Sequence, residues 1–474
     1  MKKSWPMLGV LLLLLLVAGL VPVAATPVPP LALAQVGGED PAALYRVAAA
    51  GLPVYARLVG RDGPYLLVGA TPGALADLRR AGLDVLVLDT DSTGTSYYLA
   101  APLPGRPRPD WSAYGDLLLD DGVQVLLRTV SHRAEQLAAA GVEISALSLD
   151  PIALHPRSVG SIPKSIRPDP LIAEMIAQVD RDTLSQYEEW LSGEKPTEIG
   201  GQTYTITTRY TSSGTPIQKA TQFAYEHLAG LGLEVEYNQW GGATYPNVIA
   251  TRSGLTDPDV VFIICAHLDD MPSGSTAPGA DDNASGSTGV LMAADILSQY
   301  RFGCTLKFIL WTGEEQGLLG SDAWAAWAGN QGLDIQGVLN MDMIAYDSDA
   351  APVVDLHARS WLPDSVALAN LFADVVEAYN LDLEPNVLVD NWLGDYSDNK
   401  SFWDKGYAAI LSIEDYDDFT PYYHSTNDRL STLNMTYFTT FVQAAVGTLV
   451  HASDCLLRPQ MYYYLPLVIR STGE

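Results

Sequence analysis

Three apolar runs that lead directly into metal-ligand residue types constrain the fold of this chain most strongly. The runs cover residues 260–266, 306–311 and 335–341, and the residues that follow them are His267, Asp269, Glu314, Glu315 and Asp342. Short apolar runs bounded by polar residues predict buried strands. In open parallel sheets, ligands gather beyond the carboxyl ends of the strands. We therefore expect the metal site of a hydrolytic enzyme at one edge of a parallel sheet.

The wider pattern divides the chain into two folded parts. From residue 166 to 457, strand-like and helical patterns alternate, which predicts a three-layer α/β/α domain with a mostly parallel central sheet. Residues 35–165 carry a strand–helix–strand pattern twice, over 65–86 and again over 125–144. This repeat predicts a small α+β N-terminal domain with one antiparallel or mixed sheet. Whether that domain is an accessory module or a pro-domain stays open.

Both ends of the chain have separate compositions. Lys2 and Lys3 precede an apolar stretch over 7–20, so residues 1–34 are predicted to be a signal peptide and leader, cleaved after Ala25 or Ala34. The mature protein is then expected to be secreted by a bacterium and free of the membrane, with association to the cell surface left open. The tail, 458–474, is apolar and then polar, and either pairs with a sheet edge or serves as an export or anchoring signal.

Composition excludes several classes of protein. Among 474 residues, 48% are hydrophobic and 18% charged, as in ordinary globular proteins, and the net charge of −29 argues against a nucleic-acid partner. Three cysteines are too few, and odd in number, for a disulfide framework, and Cys265 is expected to be a core residue. The oligomeric state does not follow from the sequence.

Two further strings carry ligand residue types. The loop A-P-G-A-D-D-N-A-S-G, residues 277–286, places Asp282 just before a predicted helix, and His424 stands in P-Y-Y-H-S-T-N-D. Zinc bound by histidines and carboxylates with an open position supplies a nucleophile and polarises a carbonyl. The strings therefore indicate a zinc hydrolase.

Together, these strings resemble the zinc-dependent exopeptidase superfamily of secreted bacterial leucyl aminopeptidases. Its relatives include glutamate carboxypeptidase, the transferrin receptor and glutaminyl cyclase. The resemblance covers about residues 170–455, and A-P-G-A-D-D-N-A-S-G is its most specific string. It implies peptide substrates and two zinc ions as cofactors.

The resemblance also implies a role for each site residue. One zinc takes Asp282, Glu315 and His424, and the other takes His267, Asp282 and Asp342. Glu314 becomes the general base, and Asp269 orients the ring of His267. Two zinc ions, three carboxylates and a bridging hydroxide sum to zero charge, as a partly buried cluster requires.

The predicted function is a dinuclear zinc aminopeptidase that hydrolyses peptides through a metal-bridging hydroxide and a glutamate base. A carboxypeptidase of the same superfamily is an alternative, and it would need a basic residue such as Lys400 or Arg429 to hold the substrate carboxylate. A one-zinc acyltransferase similar to glutaminyl cyclase is another. A binding protein without catalysis is disfavoured because all ligands and the base are present.

Three features depart from the family pattern or lie beside it. Asn399 stands where many relatives have histidine, and Tyr396 lies close to where some relatives place a tyrosine that hydrogen-bonds the oxyanion. The acidic string 414–418 is expected to be a solvated loop at the rim of the pocket rather than a calcium site.

Overall fold

The computed structural model describes residues 31–37, 46–47, 49–241 and 245–458. Most of the predicted leader and nearly all of the C-terminal tail therefore lie outside the described residues. Within the described ranges, no helix combines the length and apolarity needed to cross a membrane.

The N-terminal domain contains two four-stranded antiparallel sheets, each with one helix between strands of the repeat. Its strands are β1 (Ala32–Gly37), β2 (Val54–Gly60), β3 (Gly63–Ala70), β4 (Asp84–Asp89), β5 (Tyr97–Pro102), β6 (Asp116–Asp120), β7 (Val125–Arg128) and β8 (Val142–Ala146). Its helices are α1 (Pro72–Arg80) and α2 (Ser131–Ala138). The strand order is β2-β3-β1-β4 in one sheet and β6-β7-β5-β8 in the other. The predicted strand–helix–strand repeat is present, but the prediction of a single sheet is wrong.

The two sheets remain separate because each buries apolar residues on both faces. Their facing surfaces share a core that includes Leu33, Leu67, Leu99 and Leu126. On its other face each sheet packs against its own helix, as Leu78 of α1 does. The result is a four-layer arrangement, helix–sheet–sheet–helix.

Strand β1 bears on the expected cleavage positions. It lies between β3 and β4, and Ala34 is buried within it. Cleavage after Ala25 would leave the strand whole, whereas cleavage after Ala34 would remove half of a central strand.

The large domain is the predicted three-layer α/β/α structure. Its strands are β9 (Thr197–Ile199), β10 (Gln202–Tyr204), β11 (Glu234–Asn238), β12 (Asn247–Arg252), β13 (Asp257–His267), β14 (Cys304–Trp311), β15 (Asp334–Met341), β16 (Val353–Ala358), β17 (Glu384–Val389) and β18 (Ala409–Glu414). Its helices are α3 (Pro170–Ala177), α4 (Arg181–Leu191), α5 (Thr215–Gly230), α6 (Gly286–Leu297), α7 (Leu319–Gln331), α8 (Pro363–Tyr379), α9 (Asn399–Asp404) and α10 (Met435–Ser453). An eight-stranded sheet runs in the order β11-β12-β14-β13-β15-β18-β16-β17, while β9 and β10 form a separate pair.

The centre of the large sheet is parallel. Strand β13 pairs in parallel with β14 and β15, and β15 pairs in parallel with β18. One face packs against helices that include α6, α8 and α10, and the other against α7 and α9. Because β13 is covered on both sides, it reads as a continuous apolar run rather than an alternating one. The carboxyl ends of β13, β14, β15 and β18 consequently meet at one edge of the sheet.

A disulfide that the cysteine count did not predict joins the start of β14 to the segment after α10. Cys304, the first residue of β14, is bonded to Cys455, which follows α10. An odd cysteine count excludes complete pairing but allows one bond, and this single bond is not a disulfide framework. Cys265 is free and buried in the core, as expected.

Candidate metal centre

The carboxyl edge of the central sheet brings together the six side chains predicted to bind or act beside metal. His267 ends β13, Glu314 and Glu315 lie in the turn after β14, and Asp342 follows β15. Asp282 lies in the loop before α6, and His424 lies in the loop after β18. All six are buried, and all six line one cavity. The residues converge because parallel strands end at the same edge.

Asp282 stands between the two histidines. Its Oδ1 lies 3.3 Å from Nε2 of His267, and its Oδ2 lies 3.2 Å from Nε2 of His424. Beyond this carboxylate, Asp342 Oδ1 is 3.1 Å from Nε2 of His267. Glu315 Oε2 is 2.8 Å from Nε2 of His424. The cluster therefore has two halves, which are His267 with Asp342 and His424 with Glu315. The carboxylate of Asp282 lies between the two halves and contacts both histidines.

The loop that carries Asp282 is fixed by its glycine and asparagine. Gly279 has a φ of +48°, and a side chain there would collide with the Asp282 carbonyl oxygen at 2.4 Å. Asn283 is fully buried, donates to the Met341 carbonyl and accepts from the Gly286 N–H. These bonds tie the loop to the end of β15, so Asn283 acts as part of the site architecture.

The outer nitrogens of both histidines are hydrogen-bonded to backbone carbonyls. Nδ1 of His267 lies 3.1 Å from the carbonyl oxygen of Asp269, and Nδ1 of His424 lies 2.5 Å from that of Ala138. A carbonyl only accepts, so each Nδ1 carries a hydrogen. A ring that binds a metal is neutral and would then direct the lone pair of Nε2 into the cluster. There it meets carboxylate oxygens, which are acceptors too. Facing lone pairs of this kind fit a bound cation on each side.

The charge of the cluster also calls for cations. Glu315 Oε1 and Asp282 Oδ2 are buried without a hydrogen-bond partner. Burial raises the pKa of Glu315 to about 8 and that of Glu314 well above its ordinary value. Burial alone would lower the pKa of His267, but the charges of Asp342 and Glu314 raise it well above its usual range. Histidine and carboxylate ligands around buried negative charge fit zinc.

Asp269 differs in detail from its predicted role. Its carboxylate lies 3.9 Å from Nδ1 of His267, too far for a hydrogen bond, and its own backbone carbonyl holds the ring instead. The carboxylate accepts from Thr211 Oγ1 at 2.5 Å and from the Glu314 N–H at 3.4 Å. Asp269 thus positions both His267 and the backbone of Glu314.

Asp428 is a site residue that sequence reasoning missed. Its two carboxylate oxygens accept from the N–H groups of Asp281 and Asp282 at 2.9 and 3.0 Å. It is 1% exposed and lies four residues after His424. The loop of one histidine therefore fixes the loop of the shared carboxylate. The signal was present in P-Y-Y-H-S-T-N-D, whose last acid was left unassigned.

Ser397 holds Asp342 in a similar way. Its hydroxyl donates to Asp342 Oδ2 at 2.6 Å and accepts from Asn340 at 2.8 Å. Of the residues that follow, Tyr396 lines the cavity but donates its hydroxyl to Gln124 of the N-terminal domain. Asn399 donates to the Gly394 carbonyl and does not line the cavity.

The acidic string 414–418 is only partly the solvated loop that was expected. Glu414 is fully buried and accepts from the Thr420 N–H, whereas Asp417 is exposed. Asp418 accepts from Ser348 and lies in an acidic group with Asp347 and Asp349.

The basic residues that a carboxypeptidase would use lie elsewhere. Lys400 is paired with Asp404, and Arg429 with Glu194. Among the described residues, no lysine or arginine lines the metal cavity.

The backbone of His424 is held in the left-handed region. Its φ is +52°, a backbone conformation that residues other than glycine rarely adopt. Strained residues of this kind persist where the surroundings hold them, and they concentrate at functional sites.

Comparisons with known proteins identify a peptidase family. Residues 247–449 match the model of Peptidase family M28. A probable leucine aminopeptidase of Trichophyton verrucosum is 26% identical over 362 residues, which cover 73% of this chain and 94% of the relative. A probable zinc metalloprotease of Pyricularia oryzae is 37% identical over 116 residues, 23% of each chain.

Solved structures show the same fold. The LapA aminopeptidase of Legionella pneumophila aligns with a TM-score of 0.59 at 18% identity, covering 76% of this chain and 99% of LapA. LapB of the same organism aligns with a TM-score of 0.58 at 18% identity, over 75% and 99%. The superfamily, the fold class and the enzyme class that the motifs predict are thus confirmed.

Proposed function

We infer, from the premise that the chain belongs to Peptidase family M28, that it is a dinuclear zinc aminopeptidase that removes N-terminal residues from peptides. The observation that carries this inference is the placement of Asp282. Its two oxygens face two histidines whose Nε2 lone pairs both point inward. A shared carboxylate between two histidines supports two metal ions rather than one, and this disfavours the one-zinc acyltransferase.

The residues divide into two sets. Asp282, Glu315 and His424 would hold one zinc, and His267, Asp282 and Asp342 the other. When bound, the ions would supply Lewis acidity to the scissile carbonyl and to the attacking water.

Glu314 is the residue that moves protons. One of its carboxylate oxygens lies within 4.8 Å of ligand atoms of His267 and Asp342, yet it belongs to neither ligand set. From this position it takes a proton from the attacking water and delivers it to the leaving amine. The Asp269 contact to its backbone N–H keeps it beside the cluster.

The acidic lining supports the amino end of the substrate over the carboxyl end. A free α-ammonium is attracted to carboxylates, whereas a substrate carboxylate needs a cation. Lys400 and Arg429 are bound elsewhere, so the cavity offers none.

The experiment that tests this function compares Glu314→Gln with Asp282→Ala. Glu314→Gln should keep both zinc ions and lose activity by roughly 10²–10⁴-fold, the usual contribution of a general base. Asp282→Ala should lower bound zinc at both positions. Zinc is counted by elemental analysis, and activity is followed on paired reporters with free and blocked amino ends. Undiminished turnover by Glu314→Gln, or cleavage only of carboxyl-terminal reporters, would contradict the assignment.

Two features of the chain indicate that the enzyme is exported. The apolar stretch 7–20 precedes the folded domains, and the Cys304–Cys455 disulfide is typical of an oxidising compartment. We propose that the protein is secreted after cleavage at Ala25, with β1 retained.

A further inference from the structure

The N-terminal domain reaches into the metal site at three points. Leu103, directly after β5, is 2% exposed and packs in an apolar cluster with Met343, Ile413 and Tyr416. Those three partners also line the metal cavity. Leu103 therefore occupies apolar space directly beside the wall of the metal cavity, although it does not itself line that cavity.

The segment around Leu103, residues 102–108, is a short projecting loop, which we call the peg. Leu103 is flanked by Pro102 and Pro104, and residues 104–108 after it are exposed. Its backbone carbonyl accepts from the Arg106 N–H, which closes a tight turn at the tip. Leu103 is therefore covered by residues of the large domain rather than by residues of the N-terminal domain that carries it.

Glu143 and Ala138 make the second and third contacts. Glu143 of β8 is 8% exposed, lines the metal cavity and accepts from the Tyr423 hydroxyl at 3.2 Å. The Ala138 carbonyl, at the end of α2, accepts from Nδ1 of His424. A carboxylate and a carbonyl of one domain thus lie against the metal ligands of the other.

With this domain in place, the cavity has no room for a peptide. Its volume is about 20 Å³. One water needs roughly 10–15 Å³, so the space holds about one water. An aminopeptidase must admit at least a terminal residue and the next peptide bond.

We propose that the N-terminal domain is autoinhibitory and keeps the site closed by placing Leu103 and Glu143 where substrate would bind. The enzyme is then latent until this domain moves away or is cut loose. This rests on the proposed function, and it adds that the pocket beside the metals accepts a leucine-sized apolar side chain. The alternative is that the domain is a permanent part of the working site, since Ala138 orients His424. The two readings predict opposite changes in activity.

The first test loosens the peg in the intact chain. Leu103→Ser should raise kcat/KM on an N-terminal leucine reporter roughly tenfold or more, because loss of a buried leucine shifts an open–closed equilibrium by that order. Leu117→Ser is the matched control, since Leu117 lies in the same domain but is 46% exposed. Its activity should equal that of the unaltered chain. Lower activity of Leu103→Ser would overturn the proposal.

The second test releases the domain. A specific protease site is inserted after the exposed Lys164, in the linker between the domains, and the full chain is assayed before and after cutting. Two readouts are taken, which are hydrolysis of the leucine reporter and the rate at which phenanthroline strips zinc, a rate that needs no turnover. Cutting should raise both, and the Leu103→Ser variant should already show part of each increase.

The outcomes separate the two inferences. If cutting accelerates zinc stripping but neither form hydrolyses any reporter, the closure stands and the proposed function fails. If the uncut chain is fully active and cutting changes neither readout, the function stands and the closure is wrong. If cutting releases zinc and abolishes activity, the domain is a permanent part of the site and the proposal is overturned.

Discussion

The contact of Asp428 with the loop of the shared carboxylate makes a quantitative prediction. In Asp428→Ala, the buried N–H groups of Asp281 and Asp282 lose the one side-chain acceptor that they have among the described residues. A buried donor left unpaired costs about 1–3 kcal/mol, so the pair costs about 2–6 kcal/mol. Since this loop aims Asp282 at both metal positions, about half of that cost should appear in metal binding. The zinc dissociation constant should then rise by roughly 10–100-fold, the range typical of groups that hold metal ligands from behind.

The assay is zinc competition against a chelator of known affinity. Asn427→Ala is the matched control, because Asn427 is the exposed neighbour of Asp428 on the same loop. Asp428→Asn keeps one acceptor oxygen and should fall between the two. Zinc affinity of Asp428→Ala equal to that of the control would refute the reasoning, because the loop would then be held by other contacts.

Two further predictions concern stability. The Cys304–Cys455 bond spans 151 residues, so Cys304→Ser should lower the free energy of unfolding by up to about 5 kcal/mol in the chain-entropy estimate. Urea unfolding with and without a thiol reductant measures this, and an unchanged midpoint in reductant would contradict it. Burial, with the charge of Arg359, lowers the pKa of His357 to about 3. An unfolded histidine titrates near 6.5, so the unfolded state binds more protons below that pH and stability falls as the pH falls from about 6.5 towards 3. At pH 5 the free energy of unfolding should be lower by about 2 kcal/mol than at pH 8 because of this histidine. His357→Leu should lack this loss when the unfolding of both proteins is compared at the two pH values. An equal pH dependence of the two proteins would count against this assignment.

Three of the ligands were readable from the sequence because they follow recognisable apolar runs, whereas Asp282 and His424 were found in two loop strings. Strand β13 is apolar from Val260 to Ala266, so its end at His267 is visible without any structure. The same holds for Asp342 after β15. Once the runs predict a parallel sheet, their ends must share one edge, and the residues that follow them must be neighbours.

Contacts made from behind the ligands were harder to predict. Asp428 was not assigned because an acid four residues after a histidine has no distinctive spacing. His267 donates its Nδ1 hydrogen to the carbonyl of Asp269 rather than to its carboxylate, and the sequence does not distinguish these two acceptors. The sheet of the N-terminal domain was predicted as one, although two form, because strand patterns show which faces are apolar but not which strands pair.

The sequence by itself determined the parallel central sheet, the five residues suited to zinc and the acid beside them, since each lies in a local string. Four of these six residues lie at or just after the end of a strand, and Asp282 and His424 lie in loops. Only the tertiary structure decided that Glu143 lines the metal cavity, that Leu103 packs beside its wall, that Ala138 orients His424, and that Cys304 pairs with Cys455. The physical reason is that these contacts join segments far apart in the chain. The contacts of Leu103, Glu143 and Ala138 depend on how the two domains pack, and the disulfide depends on how β14 meets the segment after α10. Neither kind of packing is visible in a local pattern of residues.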